Sequence, residues 1–126
     1  IAIAKKLGIP VITFLEMFYK AGLTTKEAFD SGNIARACRE SAPNRTLKSP
    51  PSLDHRYVHE DVGYGLVPMA ALGRVAGVPT PTIDSIVHLM SVATGIDYAK
   101  TGLTLDKLDL AGKTPEQVQR FLFTGE

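Results

Sequence analysis

Apolar residues recur every three or four positions along most of the chain, the spacing that places them on one face of an α-helix. The longest such stripe follows Pro81 and consists of Ile83, Ile86, Val87, Leu89, Met90, Val92 and Ala93. Because a helix that is apolar on most sides is usually buried, we expect this one to lie in the middle of the domain. Alternation of apolar and polar residues, the pattern of a strand, extends over no useful length, and no segment repeats. The sequence therefore predicts an all-α protein, a helical bundle of about seven helices.

Capping residues and prolines predict where several helices begin and end. Thr24, followed three positions later by Glu27, matches a capping box. Pro81 and Pro115 each follow a threonine, so that a capping residue precedes a proline at the first helical position. Segment 41–52 contains three prolines and four hydroxyl residues, and we predict an irregular loop there.

Composition narrows the class of protein. The chain has 126 residues, enough for one domain with its own core. Its 14 Lys and Arg against 13 Asp and Glu give a net charge of +1, which argues against a general nucleic-acid binder. The single cysteine, Cys38, cannot form an internal disulfide and is expected to be a small buried residue. The apolar runs are far shorter than the ~20 residues of a membrane span, and no signal-peptide pattern is visible. We therefore expect a cytoplasmic protein with no membrane partner.

The beginning of the chain suggests that it was once longer. It starts at Ile1 rather than at a methionine, and its first seven residues have the pattern of the end of a helix. Gly8 and Pro10 then end that segment. We interpret 1–126 as a single helical domain, a fragment or a trimmed part of a longer protein, and this limits what it can do alone.

Segment 52–65 is the part of the chain richest in ionisable side chains. Such a cluster is usually a solvated face, and three chemical interpretations compete with that one. The first is a metal site. His55 and His59 are four positions apart and would face the same way on a helix, and Glu60 or Asp61 would be a third ligand. No third histidine and no cysteine pair supports this interpretation, so we expect no metal.

The second interpretation is phosphate binding, because Gly63-Tyr64-Gly65 begins like a dinucleotide-binding fingerprint. No strand pattern precedes it, however, and Pro68 stands where the third glycine belongs. We therefore assign no cofactor-binding residue here. The glycines are expected to let the backbone turn sharply into a helix predicted from Gly65 to Ala76. Pro68 fits that helix only if it lies in the first turn.

The third interpretation is anion binding with acid–base support. The planar guanidinium of Arg56 suits a carboxylate. On one straight helix Arg56 shares a face with Glu60, whereas Asp61, five positions away, points in another direction. Separate roles are therefore natural: Arg56 would hold a substrate carboxylate and Asp61 would orient a partner group. His88 lies within the apolar stripe and is expected to be a hydrogen-bonded core or interface histidine rather than a ligand.

The segment from 53 to 112 resembles the C-terminal α-helical domain of the octopine/nopaline (opine) dehydrogenase family. The resemblance rests on an ordered series of motifs: Asp54-His55-Arg56-Tyr57-Val58-His59-Glu60-Asp61-Val62, Gly63-Tyr64-Gly65-Leu66-Val67-Pro68, Gly73-Arg74-Val75-Ala76-Gly77-Val78-Pro79-Thr80-Pro81 and Gly95-Ile96-Asp97-Tyr98. Residues before Asp54 fit the domain in helical character only.

The resemblance implies a fold and an activity. The fold is that of the helical domain of opine dehydrogenases, like the C-terminal domain of 6-phosphogluconate dehydrogenase. The enzymes use NADH or NADPH to reduce an imine formed from an amino acid and a 2-oxo acid such as pyruvate. Their site lies in a cleft between this domain and an N-terminal Rossmann domain, which holds NAD or NADP.

The resemblance also implies two residue roles. Arg56 matches the arginine that binds the 2-oxo-acid carboxylate, and Asp61 matches the aspartate that pairs with the catalytic histidine. That histidine precedes this region in the family, and none of His55, His59 and His88 stands at its place. His59 falls at a variable position of the motif.

Two hypotheses follow. In the first, 1–126 is the substrate and dimerisation domain of an opine-type dehydrogenase, an oxidoreductase whose Rossmann domain is missing here, so that the chain alone is inactive and possesses half of the cleft. In the second, it is a free-standing helical dimerisation or interaction module without catalytic activity. A homodimer is compatible with both.

Overall fold

Every regular element in residues 1–125, the part of the chain that the computed structural model describes, is helical. The α-helices are α1 (Ala2–Lys6), α2 (Phe14–Lys20), α3 (Lys26–Asp30), α4 (Ile34–Arg39), α5 (Arg56–Glu60), α6 (Val67–Ala76), α7 (Pro81–Thr94), α8 (Tyr98–Thr101) and α9 (Pro115–Thr124). A π-helix spans Asp61–Leu66, and a 3₁₀ turn spans Asp106–Leu108. The all-α prediction is confirmed. The α-helices outnumber the predicted seven because several last only one or two turns.

The helices form two compact units, which we call the 10–49 unit and the 50–125 unit. The first also includes Ile1, and the second also includes Ala2–Ile9. The treatment of 1–126 as one functional domain stays a prediction.

The 10–49 unit packs α2, α3 and α4 around a small core. Its buried members are Phe18, Ala28 and Ala37, with Leu15 and Leu23 packed against them. Thr25 caps α3, since its hydroxyl accepts from the N–H of Ala28. The capping box predicted at Thr24 is therefore wrong by one residue: Thr24 donates to the carbonyl of Ala37 instead.

Cys38 is exposed, which corrects the expectation that it is buried. Helix α4 turns Ala37 into the core, and the next residue on a helix points about 100° away. Beyond α4, the described segment 41–55 has turns and no helix, which confirms the predicted loop.

The 50–125 unit has two apolar clusters. One joins α1, α6 and α9 through the buried residues Leu7, Ala76, Leu110 and Val118. The other joins the π-helix, α6, α7 and α8 through Val62, Val67, Val87 and Tyr98. Helix α6 begins at Val67, and Pro68 lies in its first turn as predicted, where no N–H is required.

Helix α7 is not in the middle of the domain, contrary to expectation. Val87 is its one buried residue, whereas Leu89 and Val92 are 64% and 70% exposed. Apolar periodicity identifies the helix, but it does not say whether the second apolar face is covered within the same chain. Thr80 precedes α7 as predicted, although its hydroxyl donates to Asp84 rather than accepting from a backbone N–H.

Candidate functional site

The residues singled out by their chemistry lie on α5 and on the π-helix that continues it. His55 is the N-cap of α5, and its Nδ1 accepts from the N–H of Tyr57 at 3.2 Å. Its backbone is extended, so the expectation that His55 and His59 face the same way on one helix does not hold. Histidine serves here as an acceptor for one of the unpaired N–H groups at the helix start.

Arg56 pairs with Glu60 through one edge of its guanidinium. Its Nε donates to one carboxylate oxygen at 3.2 Å and its Nη2 donates to the other at 3.3 Å. This hydrogen bond and the nearby negative charge raise the pKa of Arg56 above its ordinary value. Nη1 and the second hydrogen of Nη2 form another edge, which has no partner among the described residues and can receive a second carboxylate. The predicted shared face of Arg56 and Glu60 is thus confirmed, and Glu60 orients the guanidinium.

Asp61 begins the π-helix directly after Glu60. Its side chain is exposed and makes no hydrogen bond or ion pair within residues 1–125. An ionised carboxylate accepts hydrogen bonds only, so this group is suited to hold the N–H of an imidazole. Arg56 and Asp61 therefore present different chemistry from neighbouring turns, and their separate roles stay a prediction.

His59 is held on both sides, which the sequence did not predict. Its Nδ1 lies 2.6 Å from the hydroxyl of Tyr98, and its Nε2 lies 3.0 Å from Oδ1 of Asp54. Since the carboxylate can only accept, Nε2 carries a proton, and in the neutral ring Nδ1 accepts from the Tyr98 hydroxyl. Tyr98 is 39 positions away along the chain, and no local pattern indicates the contact.

The two glycines of the discounted fingerprint do not form a sharp turn. They lie in the π-helix, and a side chain on Gly63 would contact the Tyr98 ring at 3.5 Å. The carbonyl of Gly63 accepts from the N–H of Leu103 at 2.8 Å, next to Gly102. A contact of 3.5 Å is an ordinary van der Waals distance, so the close approach of α8 to the π-helix requires the absence of a side chain at Gly102 rather than at Gly63.

A groove of about 600 Å³ lies elsewhere in the 50–125 unit, between α6, α7 and the start of α8. Its lining combines apolar and polar side chains, among them Val67, Arg74, Val87, His88, Ser91 and Asp97. His88 is exposed there, so it is not a core histidine. Neither Arg56 nor Asp61 lines this groove, which is therefore separate from the α5 site.

Two general features complete the description of residues 1–125. No three His, Cys, Asp or Glu side chains within this range come together as a metal site would require. The expectation of no metal stays a prediction. Among the same residues, every helix is too short or too polar to cross a bilayer.

The described residues thus form an all-helical fold in which neighbouring turns carry an exposed arginine and an exposed aspartate five positions apart. The family model described as NAD/NADP octopine/nopaline dehydrogenase, alpha-helical domain, matches residues 1–94. The chain therefore belongs to the octopine/nopaline dehydrogenase family, as its helical domain. The match also covers the first 52 residues, for which the sequence motifs had offered only helical character.

Three relatives are longer proteins that match this chain over part of their own length. It is 40% identical over 114 residues to the opine dehydrogenase of Arthrobacter sp. (strain 1C), covering 90% of the chain and 30% of that protein. It is 33% identical over 76 residues to protein ocs of Agrobacterium tumefaciens (strain Ach5), covering 60% of the chain and 21% of that protein. It is 26% identical over 133 residues to the tauropine dehydrogenase of Arabella iricolor, covering 93% of the chain and 34% of that protein. The chain thus spans about a third or less of these relatives.

Proposed function

We propose that this chain is the C-terminal substrate-binding domain of an NAD(P)-dependent opine-type dehydrogenase, which reductively condenses an amino acid with a pyruvate-like 2-oxo acid. The observation that carries the proposal is that neighbouring turns expose a free edge of the Arg56 guanidinium and the carboxylate of Asp61, which has no partner among the described residues, in a member of the opine dehydrogenase family. The relatives named opine dehydrogenase and tauropine dehydrogenase support this reaction class.

Arg56 would bind the carboxylate of the 2-oxo acid. Glu60 occupies the Nε and Nη2 edge, which leaves the Nη1 and Nη2 edge to form two parallel hydrogen bonds with a second carboxylate. The pair with Glu60 fixes the plane of the guanidinium before substrate arrives, and a fixed donor loses less conformational entropy on binding. A lysine cannot offer this fork.

Asp61 would orient the catalytic histidine. A carboxylate that accepts from one imidazole nitrogen fixes the tautomer and favours the protonated ring, which can then give a proton during reduction of the imine. The family resemblance implies that this histidine precedes the region and that none of His55, His59 and His88 stands at its place, so we expect the histidine for Asp61 to come from outside residues 1–126.

NAD or NADP would be bound mainly by an N-terminal Rossmann domain of the same protein, and supplies hydride when bound. The only G-x-G of this chain is buried in part against Tyr98 within the π-helix and does not fit a pyrophosphate. This chain would therefore form the side of the cleft that binds the substrate. The proposal places the enzyme in the cytoplasm, with the amino acid, the 2-oxo acid and the Rossmann domain as partners.

A second candidate function is a helical dimerisation or interaction module without catalysis. The exposed apolar face of α7, formed by Ile86, Leu89 and Val92, favours an interface. A homodimer through this face is compatible with either function.

An activity screen of the full-length protein separates the two functions. Panels of amino acids and 2-oxo acids would be tested with NADH and with NADPH, and consumption of the reduced cofactor would be followed. Consumption that requires both an amino acid and a 2-oxo acid supports the dehydrogenase. Consumption with none of the pairs, in a folded protein that binds neither cofactor, would support the non-catalytic module.

A further inference from the structure

We propose that His59 is a positioning residue, which through its hydrogen bond with Tyr98 fixes the orientation of the segment that carries Arg56 and Asp61. The expected effect on catalysis depends on the proposed function. The attachment of the segment by His59 depends only on contacts in the structure.

Helix α5 is the N-terminal end of a continuous helical run formed by α5, the π-helix and α6 over 56–76. The ends of helices fray unless contacts from outside the helix hold them. Arg56, Tyr57 and Glu60 are exposed, so they contribute little burial. Tertiary contacts must therefore hold α5 in place.

Two neighbouring residues of α5 make those contacts. Val58 packs against the cluster of Val62, Val67, Val87 and Tyr98. His59 makes the 2.6 Å hydrogen bond to the Tyr98 hydroxyl, and its side chain is 31% exposed. Apolar packing is non-directional, whereas a hydrogen bond fixes distance and angle. The polar contact therefore restrains the position of α5 on Tyr98 more narrowly than the packing of Val58 does.

Tyr98 is a rigid anchor for this bond. It is 3% exposed and begins α8, and Gly102 at the end of that helix closely approaches the carbonyls of Gly63 and Tyr98. Its ring packs on Gly63 in the π-helix, which begins at Asp61. The same tyrosine therefore contacts the segment at His59 through its hydroxyl and at Gly63 through its ring. Asp61 lies between these two points of attachment.

Asp54 connects the segment that precedes α5 to His59. Its carboxylate accepts from Nε2 of His59, and this holds the approach to Arg56 close to the helix. Asp54 is almost fully exposed, so this second contact is weaker than the one to Tyr98. His59 thus links the buried Tyr98 both to α5, which carries Arg56, and to Asp54, which precedes Arg56 in the chain.

Three variants of the full-length protein test the role. Tyr98→Phe keeps the packed ring and removes the hydroxyl. His59→Leu removes the acceptor, whereas His59→Asn keeps an amide oxygen near the position of Nδ1. Tyr19→Phe is the matched control, since that hydroxyl makes no hydrogen bond among the described residues and lies in the 10–49 unit.

Amide hydrogen exchange of residues 56–61 and steady-state kinetics give independent readouts. We expect Tyr98→Phe and His59→Leu to speed exchange of this segment and to raise KM for the 2-oxo acid, each by about two- to twelvefold, the range set by one net hydrogen bond. KM for the reduced cofactor should stay within about twofold, which is less than one weak hydrogen bond. His59→Asn should restore both readouts, and Tyr19→Phe should change neither.

Unchanged exchange of 56–61 in a folded Tyr98→Phe protein would overturn the proposal. So would faster exchange with no change in KM, because the contact would then be structural only. If the wild-type protein lacks activity while exchange responds as expected, the proposed function fails and the attachment of the segment by His59 stands.

Discussion

The guanidinium of Arg56 is held from one side only. Glu60 takes two of its donors and is itself more than half exposed, so the pair stays accessible to a competing carboxylate. A substrate carboxylate at the other edge does not need to displace Glu60. For the binding of a carboxylate by Arg56, the arrangement of the N–H donors on the guanidinium therefore matters more than its positive charge.

Arg56→Lys in the full-length enzyme therefore tests the carboxylate site. The charge is kept and the two parallel hydrogen bonds are lost, so we expect KM for the 2-oxo acid to rise about 10- to 100-fold. Steady-state kinetics over a range of 2-oxo-acid concentrations measure this, with Arg120→Lys as a control because Arg120 is exposed and makes no ion pair within residues 1–125. Unchanged KM and kcat would remove Arg56 from the site.

Asp61→Asn tests the proposed partner of the histidine. The amide keeps the size of the side chain but no longer stabilises a protonated imidazole, so kcat should fall about 100-fold or more with KM for the 2-oxo acid little changed. Single-turnover oxidation of reduced cofactor gives the chemical step directly. Asp106→Asn, also exposed and unpaired in the described chain, serves as the control. Full activity in Asp61→Asn would contradict the role.

At the scale of elements, the contact between the π-helix and α8 depends on the absence of side chains. A methyl group on Gly102 would lie 2.5 Å from the carbonyl oxygen of Gly63 and 2.7 Å from that of Tyr98. Both obstacles are backbone atoms and cannot move aside without shifting the helices. The element that carries Asp61 is thereby tied to α8.

Gly102→Ala should therefore lower the free energy of unfolding by about 1–3 kcal/mol, the usual cost of overpacking. Gly65→Ala is the matched control, because its methyl group would have only the carbonyl of Glu60, at 4.0 Å, as a neighbour. That variant should be neutral or stabilising by up to about 1 kcal/mol. Urea denaturation measures both. Equal effects of the two substitutions would contradict the close approach.

A second element-scale feature links α3 to α4. Glu40 accepts from Arg36 at 2.6 Å and from the hydroxyl of Thr25 at 3.1 Å. The hydrogen bond from Arg36 lowers the pKa of Glu40 below its ordinary value of 4.5. The folded state thus favours the carboxylate, and the stabilisation is present above that pH and is lost as the pH falls through the lowered pKa.

Glu40→Gln should accordingly lower the melting temperature near neutral pH and have a smaller effect in acid well below 4.5. Melting curves of both proteins across this range measure the difference. A difference that is constant with pH would show that the charge of Glu40 does not contribute.

Local signals in the sequence predicted local structure well. Thr114 caps α9 ahead of Pro115 as predicted, with a full capping box to Gln117, and Glu16 pairs with Lys20 at 2.7 Å, as their spacing of four positions on a helix favours. Both involve residues three or four positions apart, whose separation is fixed once the helix forms. The shared face of Arg56 and Glu60 was predictable for the same reason.

Features that depend on distant residues were not predictable. The contact of His59 with Tyr98 requires α8 to lie on the π-helix, and nothing near either residue indicates it. The exposure of His88 and of the second face of α7 depends on which elements cover them. The π-helix also covers Gly65 and Leu66, the first two residues of a predicted α-helix, and the apolar periodicity of the sequence does not distinguish the two kinds of helix there.

At the scale of the whole molecule, the exposed apolar face of α7 has a consequence in solution. Leu89 and Val92 are three positions apart on one side of the helix and are largely exposed. Contiguous apolar surface of this kind favours association. We expect the 126-residue chain to fold and to self-associate as its concentration rises.

Val92→Lys should shift this association to higher concentration, because a charge would have to be buried in the interface. Light scattering over a concentration series measures it. Leu47→Lys is the matched control, since Leu47 is similarly exposed but lies in the loop after α4. Equal association of both variants and the wild type would show that α7 is not the interface.

The π-helix has a further consequence for how sequences of this kind can vary in length. A π-turn holds more residues than an α-turn, so the segment Asp61–Leu66 contains a local excess over a regular helix. Deleting one residue there would let the chain return to α-geometry, and because the π-turn already accommodates an extra residue, Arg56 would keep nearly the same direction relative to α6. Within α6, by contrast, each residue turns the chain by about 100°, so the gain or loss of one residue there would rotate Arg56 by that amount relative to the end of α6. The π-helix should therefore accept the loss of one residue far more readily than α6 does.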